Sequence, residues 1–236
     1  MVISWFSAGV SSAIATKMAI EKYGDIEIWY THIEDQHPDT MRFVKDCEKW
    51  FGIKVNILQS ELKSVKNACL KSGFVNSPKG AACSRLLKVR PRQIWEQDRN
   101  ETYMYVWGFD YTPKERKRAD GRIESIPEHN HYFPLIEKQI NKIEAHGILS
   151  HAGIKRPAMY DLGYPNNNCV GCLKGGMGYW NKIRKDFPNV FQERCELEKI
   201  IGGRIFNEFK LEDLAEDRGR NLKIIVPECG LFCEEI

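Results

Sequence analysis

The chain has 236 residues, 42% hydrophobic and 28% charged, enough to bury a full core and too balanced for a disordered or fibrous protein. Lys and Arg exceed Asp and Glu by only 35 to 32, so bulk charge gives no argument for nucleic acid and leaves only a local patch open. Eight cysteines without a basic leader or a long apolar run exclude a disulfide scaffold and a membrane span, and lead us to expect a cytoplasmic protein whose closely spaced thiols bind metal or react.

In chain order, residues 2–6 form a short apolar run, and residues 26–33 and 54–58 are β-rich. Between them, residues 11–22 and 40–51 carry apolar side chains at helical spacing. A helical stretch over 84–98 precedes a further strand at 103–107. This alternation predicts an α/β fold with a mainly parallel sheet covered by helices on both faces. From about Pro134 helical pieces are broken by Gly and Pro, and "GYPNNNCVGCLKGG" is a loop by composition. We therefore expect an α/β domain over 1–133 and, over 134–236, a C-terminal helical and cysteine-containing region packed on it. The tail "KIIVPECGLFCEEI" has a short strand pattern before its two cysteines.

Between the first strand and the first helix lie Ser7, Ala8, Gly9, Val10, Ser11 and Ser12. Small side chains there let the backbone approach an anion, while amide groups, hydroxyls and the helix dipole all offer it positive ends. The bland alternative is a turn kept small for packing. Neither the Walker lysine pattern nor G-x-G-x-x-G is present.

This stretch resembles the PP-loop, S-G-G-x-[DS]-S, of the adenine nucleotide alpha-hydrolase superfamily, with Ala8 in place of the first glycine. The wider similarity is to the PAPS reductase family. "HIEDQHPDTMRFV" resembles its D-T-G-x-x-F-P-E-T-x-x-F segment, which implies that adenine lies against Thr31, His32 and Ile33. "VWGFDYTPKERKR" is similar to its G-x-R segment, with Gly108 in place and Asp110 where an arginine is common. "FPLIEKQINKIEAHGI" and "RPAMYDLGYPNNNCVGC" resemble later segments in the correct order. The likeness implies an adenine nucleotide alpha-hydrolase-like fold and an enzyme that binds ATP, APS or PAPS.

Cys169 and Cys172 form a C-x-x-C in the Asn- and Gly-rich loop, a spacing that lets two thiolates serve one metal site. "AACSRLLKVRP" resembles the family's C-C-x-x-R-K-V-x-P segment, which supplies two ligands to a 4Fe–4S cluster. By that match Cys83 takes the first position and Ser84 stands at the second. Cys229 or Cys233 could complete the set, or one iron could stay without a protein ligand. Zinc on Cys169, Cys172, Cys229 and Cys233 is the alternative. "ECGLF" also resembles the E-C-G-[IL]-H signature whose cysteine attacks sulfate sulfur, which would make Cys229 a catalytic nucleophile, with Phe232 in place of the histidine. The metal ligands are therefore expected to be Cys83, Cys169, Cys172 and Cys233, with Cys47, Cys69 and Cys195 as packing residues.

Lys114 and Arg116, with Lys117 and Arg118, crowd the loop after Gly108, at a strand end where a polyphosphate or a nucleic-acid backbone would lie. Arg85, Lys88 and Arg90 form a second basic group that, like the first, is also compatible with a solvated face. Asp35 and Asp39 are candidates for Mg²⁺ on a triphosphate, with helix capping the competing role for Asp39.

Two mechanisms fit these residues: cleavage of ATP between α and β phosphates with adenylation of an acceptor and sulfur transfer, favoured by the serine-rich loop, or APS/PAPS reduction to sulfite through Cys229. A non-catalytic nucleotide- or nucleic-acid-binding module on the same fold is the third reading. The partners compatible with the two enzyme readings are a nucleic-acid acceptor and a thiol reductant such as thioredoxin.

Overall fold

In β1 (Val2–Phe6) side chains alternate between two destinations, Ile3 and Trp5 to one face, Ser4 and Phe6 to the other, as a strand buried on both sides requires. The computed structural model describes residues 1–77, 80–99, 101–222 and 225. β2 (Glu27–His32), β3 (Val55–Gln59), β4 (Met104–Val106) and β5 (Asn130–Tyr132) join β1 in one sheet of order β3-β2-β1-β4-β5. All four pairings are parallel. The chain therefore builds outward from β1 in one direction and then in the other. That reversal leaves a crevice beyond the carboxyl ends of β1 and β4.

Helices α1 (Val10–Tyr23), α2 (Asp39–Phe51) and α3 (Val65–Ser72) follow the first three strands. Next comes α4 (Ala82–Ser84), which runs through a π-helical turn (Arg85–Val89) into α5 (Arg90–Gln97). The widened turn has a local cause. Pro91 has no N–H for the carbonyl four residues back and its ring crowds that group, so the preceding turn opens and Arg90 N–H bonds Arg85 instead. α6 (Pro113–Ser125) follows β4, and α7 (Pro134–Glu137), α8 (Lys142–His151), α9 (Ala158–Asp161), α10 (Met177–Asp186) and α11 (Pro188–Ile201) complete the described helices.

On one sheet face Phe6, Ile28, Tyr30, Val106 and Tyr132 pack against α1, α2 and α8. The opposite face is aromatic: Trp5 and Trp29 meet Trp95 of α5 edge-on at 5.4 and 5.2 Å, and Tyr103 stacks on Tyr105. The buried rings of Trp95, Tyr103 and Tyr105 contribute roughly 1.5–3 kcal/mol each, which helps decide the register of a sheet with two strands of only three residues. A third cluster joins Cys69 and Leu87 to Trp180, Ile183 and Cys195, so C-terminal helices share a core with the segment around the π turn. Likewise Leu135, Ile148 and Tyr160 pack with α1.

Strands β1 to β4 lie where alternation places them, and the helix expected over 84–98 spans Ala82–Gln97. β5 was not expected. It is three residues long, begins with exposed Asn130 and carries no alternating pattern of its own. Apart from Ile225, the strand pattern before Cys229 lies outside the described residues, as do Cys229 and Cys233 themselves. Among the described residues no helix is long and apolar enough to cross a membrane.

Candidate functional site

Three donors in the loop after β1 converge on one oxygen. Ser7 N–H (3.2 Å), the Ser7 hydroxyl (3.0 Å) and Gly9 N–H (3.2 Å) all donate to Ser12 Oγ, which in turn donates to the Gly9 carbonyl at 2.8 Å. Such a nest at a helix N-terminus is built for an oxyanion. α1 has no side-chain cap from Gly9, and Val10 N–H is satisfied by the Tyr160 hydroxyl at 3.3 Å. Burial holds the Tyr160 phenol neutral, pushing its pKa up to about 12.

The loop's shape has a cost at Ala8, whose φ of 57° lies in the left-handed region. Asn167 holds it there, its side-chain amide donating to the Ala8 carbonyl at 2.7 Å. Gly108, at the end of β4, lies so close that a Cβ added to it would stand 2.3 Å from Ser12 Cα. The segment after β4 and the first turn of α1 therefore meet backbone to backbone at the crevice, and only glycine fits.

Around this loop opens a cavity of about 340 Å³. Ser7, Gly9, Ser11, Ser12, Thr31 and Gly108 line it, as expected of nucleotide-binding residues. Ala8 and Val10 are fully buried and shape the loop from behind. His32 lies outside the lining, 3.5 Å from the Tyr30 hydroxyl, and Ile33 is a core residue whose N–H already donates to Gln36 Oε1 at 3.0 Å. Lys114 and Arg116 are exposed on α6 and do not line the cavity. Glu115, Arg118 and Arg122 of the same helix do.

Asp39 is engaged elsewhere. It binds Arg42 through both oxygens (2.7 and 2.8 Å) and accepts the Ala158 N–H at 2.8 Å. Hydrogen bonds from Arg42 lead the causes that hold its pKa down to about 2. Asp39 thus pins α2 and caps α9. Asp35 pairs with buried Arg194 and accepts Val65 N–H at 2.7 Å, so neither carboxylate faces the cavity.

Two carboxylates do line it, Glu115 and Asp110, and Asp110 is the one beside the serine loop. Burial raises its pKa, opposed by a hydrogen bond from Ser11 and by Lys142, whose Nζ stands 4.0 Å away. Lys142 is anchored by the Pro165 carbonyl at 2.8 Å and Asn166 Oδ1 at 2.6 Å. Sequence reasoning missed Arg92, Arg122, Lys142, Tyr160, Asn167 and the indoles of Trp5, Trp29 and Trp107. For Asn167 the "NNN" run beside the C-x-x-C was the available signal.

Beside the first cavity a smaller one brings together Cys83, Cys169 and Cys172. Lys88 and Asn168 border both. The C-x-x-C loop is held by neighbours from distant segments. Cys169 bridges Gln36, Val170 N–H donates to the Asp35 carbonyl at 2.8 Å, and the Tyr179 hydroxyl accepts from Cys172 N–H (2.9 Å) while donating to the Cys169 carbonyl (3.1 Å). Arg194 Nε reaches the carbonyl of Gly171, whose φ of 71° makes the turn. Burial pushes the Cys169 thiol up to about 12, and burial followed by repulsion from Cys172 raises Cys83. Cys47, Cys69 and Cys195 are buried in hydrophobic clusters. Among the described residues no three Cys, His, Asp or Glu side chains converge as ligands of a single ion.

The model of the phosphoadenosine phosphosulfate reductase domain matches residues 1–174, nearly three quarters of the sequence and the whole of both cavities' loops. The chain belongs to this family. With it comes membership of the PP-loop adenine nucleotide alpha-hydrolase superfamily. The chain is 24% identical over 198 residues to the uncharacterised protein MJ0066 of Methanocaldococcus jannaschii, covering 80% of this chain and 39% of that protein. It thus spans about two fifths of the length of that curated relative. Its fold is similar to that of a phosphoadenylyl-sulfate reductase from Candida auris, crystallised as a phosphate complex. The TM-score is 0.50 at 13% identity, over 72% of this chain and 81% of that one.

Proposed function

We propose that this chain is an enzyme that binds an adenine nucleotide with its phosphates on the Ser7–Ser12 loop and performs sulfur chemistry beside the three-cysteine cavity. The observation that carries the reading is the convergence of three donors on Ser12 Oγ in a cavity whose wall, Lys88 and Asn168, is shared with Cys83, Cys169 and Cys172. Ser7 and Gly9 would bind phosphate oxygens, Thr31 would border the adenosine, and Lys142 would offset developing charge.

The favoured reaction is cleavage of ATP. An acceptor oxygen attacks the α-phosphorus, pyrophosphate leaves, and a sulfur nucleophile then displaces AMP from the adenylated acceptor. Asp110 supports this reading, because a carboxylate beside the loop opposes a bare phosphosulfate and suits a cation-bound triphosphate.

Cys83, Cys169 and Cys172 fit a 4Fe–4S cluster better than one zinc. A zinc draws its thiolates to about 2.3 Å from one point, whereas each thiolate of a cluster holds a different iron. Such a cluster, when bound with three protein thiolates, supplies an iron open to an external sulfur ligand. A fourth ligand from Cys233 and a nucleophilic role for Cys229 fall on residues outside those described. The second reading, reduction of APS or PAPS to sulfite with a thiol reductant, rests on Cys229 in "ECGLF".

Incubating anaerobically purified protein with labelled ATP, APS and PAPS, in the presence of a nucleic-acid acceptor and a thiol reductant, separates these readings. Pyrophosphate release is expected, sulfite release would select the reductase, and binding without turnover would leave only a module. Iron and sulfide analysis with a visible spectrum tests the cluster independently, and a colourless zinc protein would overturn it.

A further inference from the structure

The main cavity has a second end that the adenine nucleotide does not explain. Sheet order places Thr31 and Trp29 of β2 on one flank of β1 and Trp107, just after β4, on the other. The β4 flank holds three arginines. Arg92 is buried and Arg122 half-buried, and like-charge repulsion from Arg92 and Arg118 adds to burial in lowering the pKa of Arg122. Arg92 pairs with Glu96 and Arg118 with Glu115. Arg122 pairs with no carboxylate among the described residues, and its Nε has no hydrogen-bond partner.

A guanidinium left in that state calls for an anion. The rings nearby say what kind. Arg122 lies 4.8 Å from the Trp107 ring centroid and Arg118 4.6 Å from that of Phe109, while the half-buried indoles of Trp5, Trp29 and Trp107 all line the cavity. Flat rings beside forked donors match a base with its phosphate. The elements that supply lining residues at this end carry further cations. Exposed Arg85 and Arg90 stand on the π turn and α5, and exposed Lys114, Arg116 and Lys117 lie on α6, none with a carboxylate partner among the described residues.

We propose that this arginine and tryptophan end is the acceptor subsite, and that it takes a nucleotide unit with the base against Trp107 and the phosphate on Arg92, Arg118 and Arg122. The unit comes from a single-stranded nucleic acid or from a free mononucleotide. This inference rests on the reading that the serine loop holds the adenine nucleotide, and it names the class of molecule to be modified.

Tryptophan fluorescence quenching tests it, with uridine or thymidine oligomers of about six nucleotides and UMP as probes, with and without a saturating non-hydrolysable ATP analogue. The oligomer is expected to bind beside the analogue, and Arg122→Gln to weaken it about tenfold and reduce its salt slope by about one. Trp107→Leu should lower the quench, with melting curves confirming that both variants fold. Equal affinity for UMP and the oligomer selects the free nucleotide, and tighter oligomer binding selects the strand. No binding of either probe, wild-type affinity in Arg122→Gln, or full competition by the analogue overturns the proposal. Analogue affinity, and its loss in Ser12→Ala, reports on the nucleotide loop separately.

Discussion

The serine loop and the cysteine cavity stand side by side, yet they are built in opposite ways. The first is six consecutive residues whose own amides and hydroxyls make the site. The second is assembled from Cys83, the 169–172 loop, Asp35 and Arg194, which meet only when the fold is complete. A site whose donors are local, though braced by Asn167 and Tyr160, should lose less to perturbations elsewhere than an assembled one, which should fail with any of its struts.

The sharpest break is Arg194→Met. It leaves Asp35 buried without its partner and frees the Gly171 carbonyl, so a stability loss of about 3–5 kcal/mol is expected in denaturant titration. Metal content should fall with it, while a nucleotide loop that still folds keeps its affinity. Equal metal content in the variant would show that the C-x-x-C loop stands without this strut.

Acid should act on the nucleotide side through His146. Burial holds this imidazole neutral, down to about 4 from the usual 6.5, with both ring nitrogens unpartnered against Tyr160 at 4.6 Å. Because the unfolded chain binds the proton first, stability present above pH 6.5 is lost as pH falls toward 4. That loss is about 2–3 kcal/mol. His146→Leu should flatten the profile across that window, as read from melting temperature against pH.

Ser12→Ala removes the oxygen on which three donors converge, with an expected cost of about 1–2 kcal/mol in stability. Calorimetry should show nucleotide affinity about tenfold weaker. The smallest effect is expected from Ala8→Gly. Relief of the left-handed strain is partly offset by unfolded-state entropy, for a net gain of about 0.5 kcal/mol. A loss instead would mean that Ala8 packing outweighs its backbone strain.

The same contrast explains what could be read in advance. Small residues between a strand and a helix act through backbone geometry, which is local, so Ser7, Gly9, Ser11 and Ser12 were legible. C-x-x-C spacing and the segment around Cys83 were legible too, though not the struts that orient them. Asp39 reads in the sequence as a carboxylate for Mg²⁺ or for helix capping and is tied to Arg42, because an i,i+3 pair depends on rotamers that periodicity does not report. Trp5 and Trp29 read as ordinary strand residues, and only the sheet order turns them toward a shared cavity. Arg122, the tenth residue of α6, falls outside the basic run that the sequence singles out.

Ser12 Oγ occupies the focus of the donors that a phosphate would claim, so a guest must share them and turn this hydroxyl from the Gly9 carbonyl toward itself. Inorganic phosphate, with a single foothold, gains little from that exchange. A ligand anchored at several further points recovers the loss, and the loop thereby filters for large, many-handled guests over the simple oxyanions that crowd every cell.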